Sequence, residues 1–225
     1  MKYTYYGHSC FAVEVNGIYI LFDPFISGNE LAKDIDIRSI KADYILLSHG
    51  HSDHTADAIA IAKQNDATIV ASYEIAVWAG NQGVKYHPMN IGGKWNFEFG
   101  TVKCVVAIHS SVLPDGTYAG NPMGFVVTAG DTSFYYSGDT ALTLDMQLIS
   151  KYKRLTFAVL CIGDNFTMGT EDAMEAARLI DCKTIVGVHF DTFGYIKIDQ
   201  QAAIKTFLSN GLKLILPGIG ETIDL

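Results

Sequence analysis

Arginine is scarce in this chain. Only Arg38, Arg154 and Arg178 occur in 225 residues, and 16 Lys+Arg stand against 24 Asp+Glu, a formal net charge of −8. The single basic run is KYKR at 151–154. Nucleic acid or an anionic membrane as main partner would demand a broad cationic face, so neither is expected. Paired cysteines are also missing: Cys10, Cys104, Cys161 and Cys182 lie far apart, form no CxxC, and three of them sit inside apolar runs as small core residues. There is no low-complexity segment, no Pro/Gly-rich linker and no charge block. No apolar run approaches the roughly 20 residues that span a bilayer, and the N-terminus carries no signal-like hydrophobic segment. These absences predict a cytoplasmic protein acting on a small molecule, without nucleic acid or membrane; a homo-oligomer is compatible with them.

What is present is ample core material, 49% hydrophobic against 18% charged. Strands are expected at 2–7, 10–15, 18–22, 44–48, 67–71, 101–108, 124–129, 133–137, 156–162, 184–188 and 212–216. Helical patterns fall between them at 56–64, 74–81, 170–180 and 199–211, with Thr170 and Asp199 as caps. Early hairpins give way to alternating strands and helices with no break in composition. The expectation is one mixed α/β domain over residues 1–225.

The chemistry concentrates in YILLSHGHSDH, residues 44–54. Side chains at i and i+2 of extended chain share a side, so His49 and His51 can bind one centre. Asp53 and His54 come slightly later and can face a second point. H-x-H-x-D-H thus lets one loop supply ligands to two neighbouring metal ions. Further candidates follow a repeated form, an apolar strand stopping at a His or Asp: Asp23, His109, Asp139, Asp164 and His189. Parallel strands would gather such ends on one edge, the usual place for a site in α/β folds.

HGHSDH at 49–54, His109, SGDT at 137–140 and GVHF at 187–190 resemble the metallo-β-lactamase superfamily in order and spacing across nearly the whole chain. GHSCFAVEVNG, FDPFISGN, IGDNFTMG and LPGIGETI further resemble its bacterial and archaeal branch of metal-dependent hydrolases. That branch is distantly similar to ascorbate-6-phosphate lactonases and N-acyl-phosphatidylethanolamine phospholipases D. The resemblance implies a four-layer αβ/βα sandwich with the metal site at one edge between two mixed sheets. It also implies His49, His51 and His109 on one metal, Asp53, His54 and His189 on the other, and Asp139 bridging.

Two divalent cations outweigh two carboxylates and a shared hydroxide, leaving the residual positive charge an electrophilic site needs. Nitrogen-rich ligation with carboxylate suits zinc, and manganese or iron would also fit. The expected activity is hydrolysis of an ester, lactone, amide or phosphodiester by a metal-bridging hydroxide, with Asp53, Asp139 and His8 as the catalytic set. A di-iron redox protein and a non-catalytic metal-binding protein on the same fold are the alternatives. Asp23 is expected to accept a hydrogen bond from a ligand histidine, and Asp164 to stand behind the ligands or relay protons. His87 matches no ligand role. Phe25, Phe166, Met168, Phe193 and Tyr195 follow the ligands and could wall a pocket, with 110–124 as a loop over it.

Overall fold

A computed structural model describes residues 1–225. The fold begins with a tight hairpin. Val15 pairs with Ile18 across Asn16-Gly17, whose φ angles of 52° and 83° suit the type I′ turn that right-twisted strands favour. Around it form β1 (Lys2–Gly7), β2 (Cys10–Val15) and β3 (Ile18–Phe22), all antiparallel neighbours. Parallel strands β4 (Tyr44–Leu46), β5 (Thr68–Ser72) and β6 (Lys85–Met89) then extend the sheet. The C-terminal strand Thr222–Asp224 pairs with β1 and closes the other edge of seven strands. Helices α1 (Ser52–Thr55), α2 (Ala58–Asn65) and α3 (Tyr73–Asn81) belong to the same unit, which comprises Met1–Ile91, Ser110–Pro122 and Gly218–Leu225. Ile61 and Ile75 of the helices pack with Leu21, Ile45 and Ile69 of the strands. Tyr3, Phe11 and Phe22 form a second, stacked aromatic cluster in this unit.

The second unit, Gly92–His109 and Met123–Pro217, carries the other seven-stranded sheet. Its strands are β7 (Lys94–Phe97), β8 (Gly100–Val106), β9 (Met123–Ala129), β10 (Thr132–Tyr136), β11 (Phe157–Cys161), β12 (Thr184–Val188) and β13 (Lys213–Ile215). Pairing is antiparallel from β7 to β10 and parallel from β10 to β13. Each sheet is therefore three antiparallel ladders followed by three parallel ones. Helices are α4 (Ile149–Tyr152), α5 (Thr170–Leu179) and α6 (Gln200–Ser209). In α5 the apolar positions Ala173, Ala176 and Ala177, with Ile180 at its C-cap, recur at helical spacing and belong to one core cluster with Leu160 of β11 and Ile162 just beyond it. Asp199 caps α6 by accepting from Ala202 N at 3.0 Å. Phe207 is fully buried on that helix, and its truncation to Ala should cost about 3–5 kcal/mol. No helix is long and apolar enough to cross a membrane.

Several expected boundaries move. Thr170 is the first residue of α5 rather than its cap; Gly169 holds the cap position without a side-chain bond, and Glu171 and Asp172 supply the anionic first turn. Strand β4 stops at Leu46, because the backbone beyond it turns into the histidine loop. Strands β6, β7 and the C-terminal one were not legible. All three are sheet edges, where half-exposed polar residues, and Pro88 in β6, weaken the alternating pattern.

Candidate metal centre

In each sheet the parallel strands deliver their C-terminal ends to one edge. In the first unit, β3 ends at Asp23 and β4 leads into residues 47–54. Asp23 organises this corner. Its Oδ1 accepts from Ser48 N at 2.8 Å, and its Oδ2 accepts from Ser48 Oγ at 2.5 Å and pairs with His54 Nδ1 at 2.8 Å. Ser48 Oγ also lies 3.0 Å from His49 Nδ1. With Nδ1 thus engaged, His49 and His54 are oriented to present Nε2. The short helix α1 fixes the rest: His54 N and Thr55 N both donate to His51 O, at 3.0 and 3.1 Å.

Two donor sets result. His49 Nε2 and His51 Nδ1 are 2.9 Å apart. Donor atoms of Asp53, His54 and His8 lie within 4.8 Å of one another, with Asp53 Oδ2 at 3.1 Å from His8 Nε2 and 3.9 Å from His54 Nε2. Two atoms each about 2.1 Å from one tetrahedral ion stand about 3.4 Å apart, so His49 with His51, and Asp53 with His54, have the spacing of ligands to a shared cation, while His8 Nε2 lies at hydrogen-bond distance from Asp53.

The loop from Ser110 to Pro122 packs on the histidine loop. Ser110 Oγ is 3.2 Å from His51 Nε2, and Ser111 Oγ accepts from Gly50 N at 3.2 Å. A methyl on Gly50 would lie 2.4 Å from the Ala119 side chain and 3.1 Å from Val112 backbone, so the middle of HGH tolerates only glycine.

In the second unit, β10, β11 and β12 are followed by Asp139, Asp164 and His189. Asp139 Oδ2 is 3.0 Å from His189 Nε2 and 3.7 Å from His109 Nε2. This third set again has the spacing of donors around one centre. Thr140 Oγ1 accepts from Ile108 N at 2.9 Å and Ala141 N donates to Ile108 O at 3.0 Å, which holds the end of the His109 strand beside the Asp139 loop. His189 has φ 59°, left-handed backbone that a histidine adopts only when its surroundings impose it. Gly163 leaves room for that conformation, because a methyl there would collide with the His189 carbonyl oxygen.

The remaining candidates divide. His8 is buried in the turn between β1 and β2 at φ 54°, its ring edge-on to Phe25 at 5.6 Å. Asp164 is exposed, and its Oδ1 accepts from Asn165 N at 2.7 Å, capping its own turn. His87 is half-buried on edge strand β6, where desolvation lowers its pKa. Phe25 and Met168 are buried, whereas Phe166, Phe193 and Tyr195 are exposed. Sequence reasoning missed Ser48, which links Asp23 to His49; a hydroxyl at a strand end beside a histidine was the available signal.

The fold is the metallo-β-lactamase fold, and residues 19–190 match the Beta-lactamase superfamily domain. A solved structure of Igni18, a metallo hydrolase from the hyperthermophilic archaeon Ignicoccus hospitalis, superposes with a TM-score of 0.89 at 32% identity, over 99% of this chain and 97% of that one. UPF0173 metal-dependent hydrolases from Christiangramia forsetii and Flavobacterium johnsoniae are each 53% identical, over 100% of both chains. The chain belongs to the UPF0173 metal-dependent hydrolase family of the metallo-β-lactamase superfamily.

Proposed function

We propose that the chain is a dinuclear hydrolase that cleaves an ester, lactone, amide or phosphodiester bond of a small molecule. The observation that carries this reading is the set of His/Asp donors at shared-ion spacing, oriented on the first sheet by the buried hydrogen bonds of Asp23 and Ser48. His49, His51 and His109 would hold one divalent ion, Asp53, His54 and His189 the other, and Asp139 both. The nitrogen-rich set with two carboxylates suits zinc, and manganese or iron can occupy the same donors.

When bound, the ions supply an acidified water and positive charge against a developing oxyanion. The chain's own residues do the rest. Asp23 keeps the His54 proton on Nδ1, so that Nε2 is the donor. Ser48 does the same for His49. His8 Nε2, 3.1 Å from Asp53 Oδ2, would donate to it, which orients that carboxylate and supplies a candidate proton donor for the leaving group.

Metal analysis of purified protein, combined with a screen of ester, lactone, amide and phosphodiester substrates with and without chelator, tests the proposal. Two equivalents of divalent metal and chelator-sensitive turnover are expected. A single equivalent, or turnover that survives chelation, overturns it.

A further inference from the structure

Three aromatic side chains stand out from the second unit on two loops. Phe166 follows β11, and Phe193 and Tyr195 follow β12; they are 50%, 36% and 78% exposed. Single exposed apolar residues are ordinary. These are not scattered. Both loops start at ends of adjacent parallel strands, the second of them at His189, and the rings of Phe166 and Tyr195 meet edge-to-face across the two loops at 6.2 Å and 74°.

The loops are also held firmly. Met168 N donates to the carbonyl of Thr140, the neighbour of Asp139, at 3.0 Å, and Asp164 N donates to Met168 O at 3.0 Å. Asp191 accepts from Ile198 N at 3.0 Å and from Gln200 Nε2 at 2.7 Å. The same segments bury Met168, Phe190 and Ile196. They therefore have an inside that takes apolar side chains, and the three rings are kept outside it by rigid backbone. Charge on these segments consists of Asp164, Asp191 and Asp199 against Lys197 alone, which disfavours a phosphate or carboxylate next to the rings.

We infer that Phe166 and Tyr195, flanked by Phe193, form the wall that receives an uncharged apolar group of the substrate. The substrate class is then an ester, lactone or amide carrying a hydrophobic acyl or aryl substituent. The inference rests on the hydrolase reading for its reaction, but the wall can be tested by binding alone. Stiff aromatic side chains present large contact area at low entropic cost, so affinity should grow with each methylene that reaches them.

The test compares metal-loaded wild type with Phe166→Ala, Tyr195→Ala and the double variant. Leu208→Ala, a 71% exposed position on α6, serves as control. Straight-chain carboxylates from acetate to octanoate, the products of ester cleavage, are titrated calorimetrically, and the matching p-nitrophenyl esters are assayed. Wild-type affinity should tighten roughly threefold or more per two methylenes. The aromatic variants should flatten that trend while leaving acetate unchanged, and Leu208→Ala should behave as wild type. A flat wild-type series, or a trend retained in the double variant, overturns the wall. A trend that depends on the rings while no ester is turned over upholds the wall and sinks the ester-hydrolase reading instead. A variant that changes the sedimentation coefficient and not the trend assigns the rings to contact with a second copy, and also overturns the proposal.

Discussion

Asp23 and His54 form a fully buried pair, carboxylate Oδ2 to imidazole Nδ1 at 2.8 Å. Such a carboxylate fixes the tautomer and ring plane of a metal-binding histidine and raises its basicity. Asp23 does this while also accepting two bonds from Ser48, so one residue sets both histidine donors flanking the loop. Asp23→Asn should weaken metal affinity by roughly 10–100-fold with a modest change in thermal midpoint. Competition against a graded chelator measures it. Unchanged affinity would reduce Asp23 to a turn residue before Pro24.

Asp139 occupies a different position, with two histidines at 3.0 and 3.7 Å around one carboxylate oxygen. An amide keeps the shape but loses the charge and one acceptor oxygen. Asp139→Asn should therefore drop metal content from two equivalents toward one and reduce turnover by roughly 100-fold or more, the scale of a lost electrostatic contact at a reacting centre. Circular dichroism should be unaltered. Wild-type activity in this variant would overturn the proposed bridging role.

Much of this was readable in the chain because strand-end chemistry is local. An apolar run ending in His or Asp marks where a strand leaves the core, and that rule marked Asp23, His109, Asp139, Asp164 and His189, of which Asp164 is exposed and caps its own turn. What was not readable depends on distant packing. The left-handed backbone of His8, Asp23 and His189 is imposed from outside, and the close approach of Gly163 to His189 pairs residues from two strands. Likewise, Phe25 and Met168 could not be told from Phe166 and Tyr195 by composition, since only the loop hydrogen bonds decide which apolar side chains turn inward. Strands β6, β7 and the C-terminal one escaped for the converse reason: largely exposed, they need no strict alternation, whereas edge strand β13 was legible at 212–216.

Buried thiols give the chain an alkaline limit. Burial pushes the Cys104 thiol up to about 12 and Cys161 up to about 11, the Asp139 carboxylate adding to the latter. Free thiols in an unfolded chain ionise near about 8.5. Below that pH both states keep the proton and stability is complete. Above it the unfolded state loses protons that the folded state retains, so stability falls until the folded thiols ionise at about 11 to 12. The urea midpoint should be level from pH 7 to 8 and decline beyond 9, and Cys104→Ala should remove part of the decline. A midpoint that rises with pH across that window would show the thiols to be ionised in the folded protein. At pH 8 a disulfide reagent should label no cysteine without urea and four with it.

His8 separates orientation of a ligand from ligation. Its Nε2 is 3.1 Å from Asp53 Oδ2, a hydrogen-bond distance, and a nitrogen that carries the shared proton cannot at the same time donate a lone pair to a metal. The ring is locked by Phe25 on one side and by His54, 5.5 Å away, on another, while Tyr5 Oη donates to the His8 carbonyl at 3.0 Å. Removing the imidazole should leave both metals bound but let Asp53 rotate and take away a stored proton. His8→Ala should lower kcat by roughly 10–100-fold, within the usual range for a lost proton donor, with little effect on metal content. Because φ is 54° at this position, His8→Asn is the better-tolerated companion variant, since asparagine accepts left-handed backbone. Full activity in both variants would make His8 a packing residue of the β1–β2 turn. Loss of one metal equivalent in both would make it a ligand, and Asp53 would then be its partner at the ion.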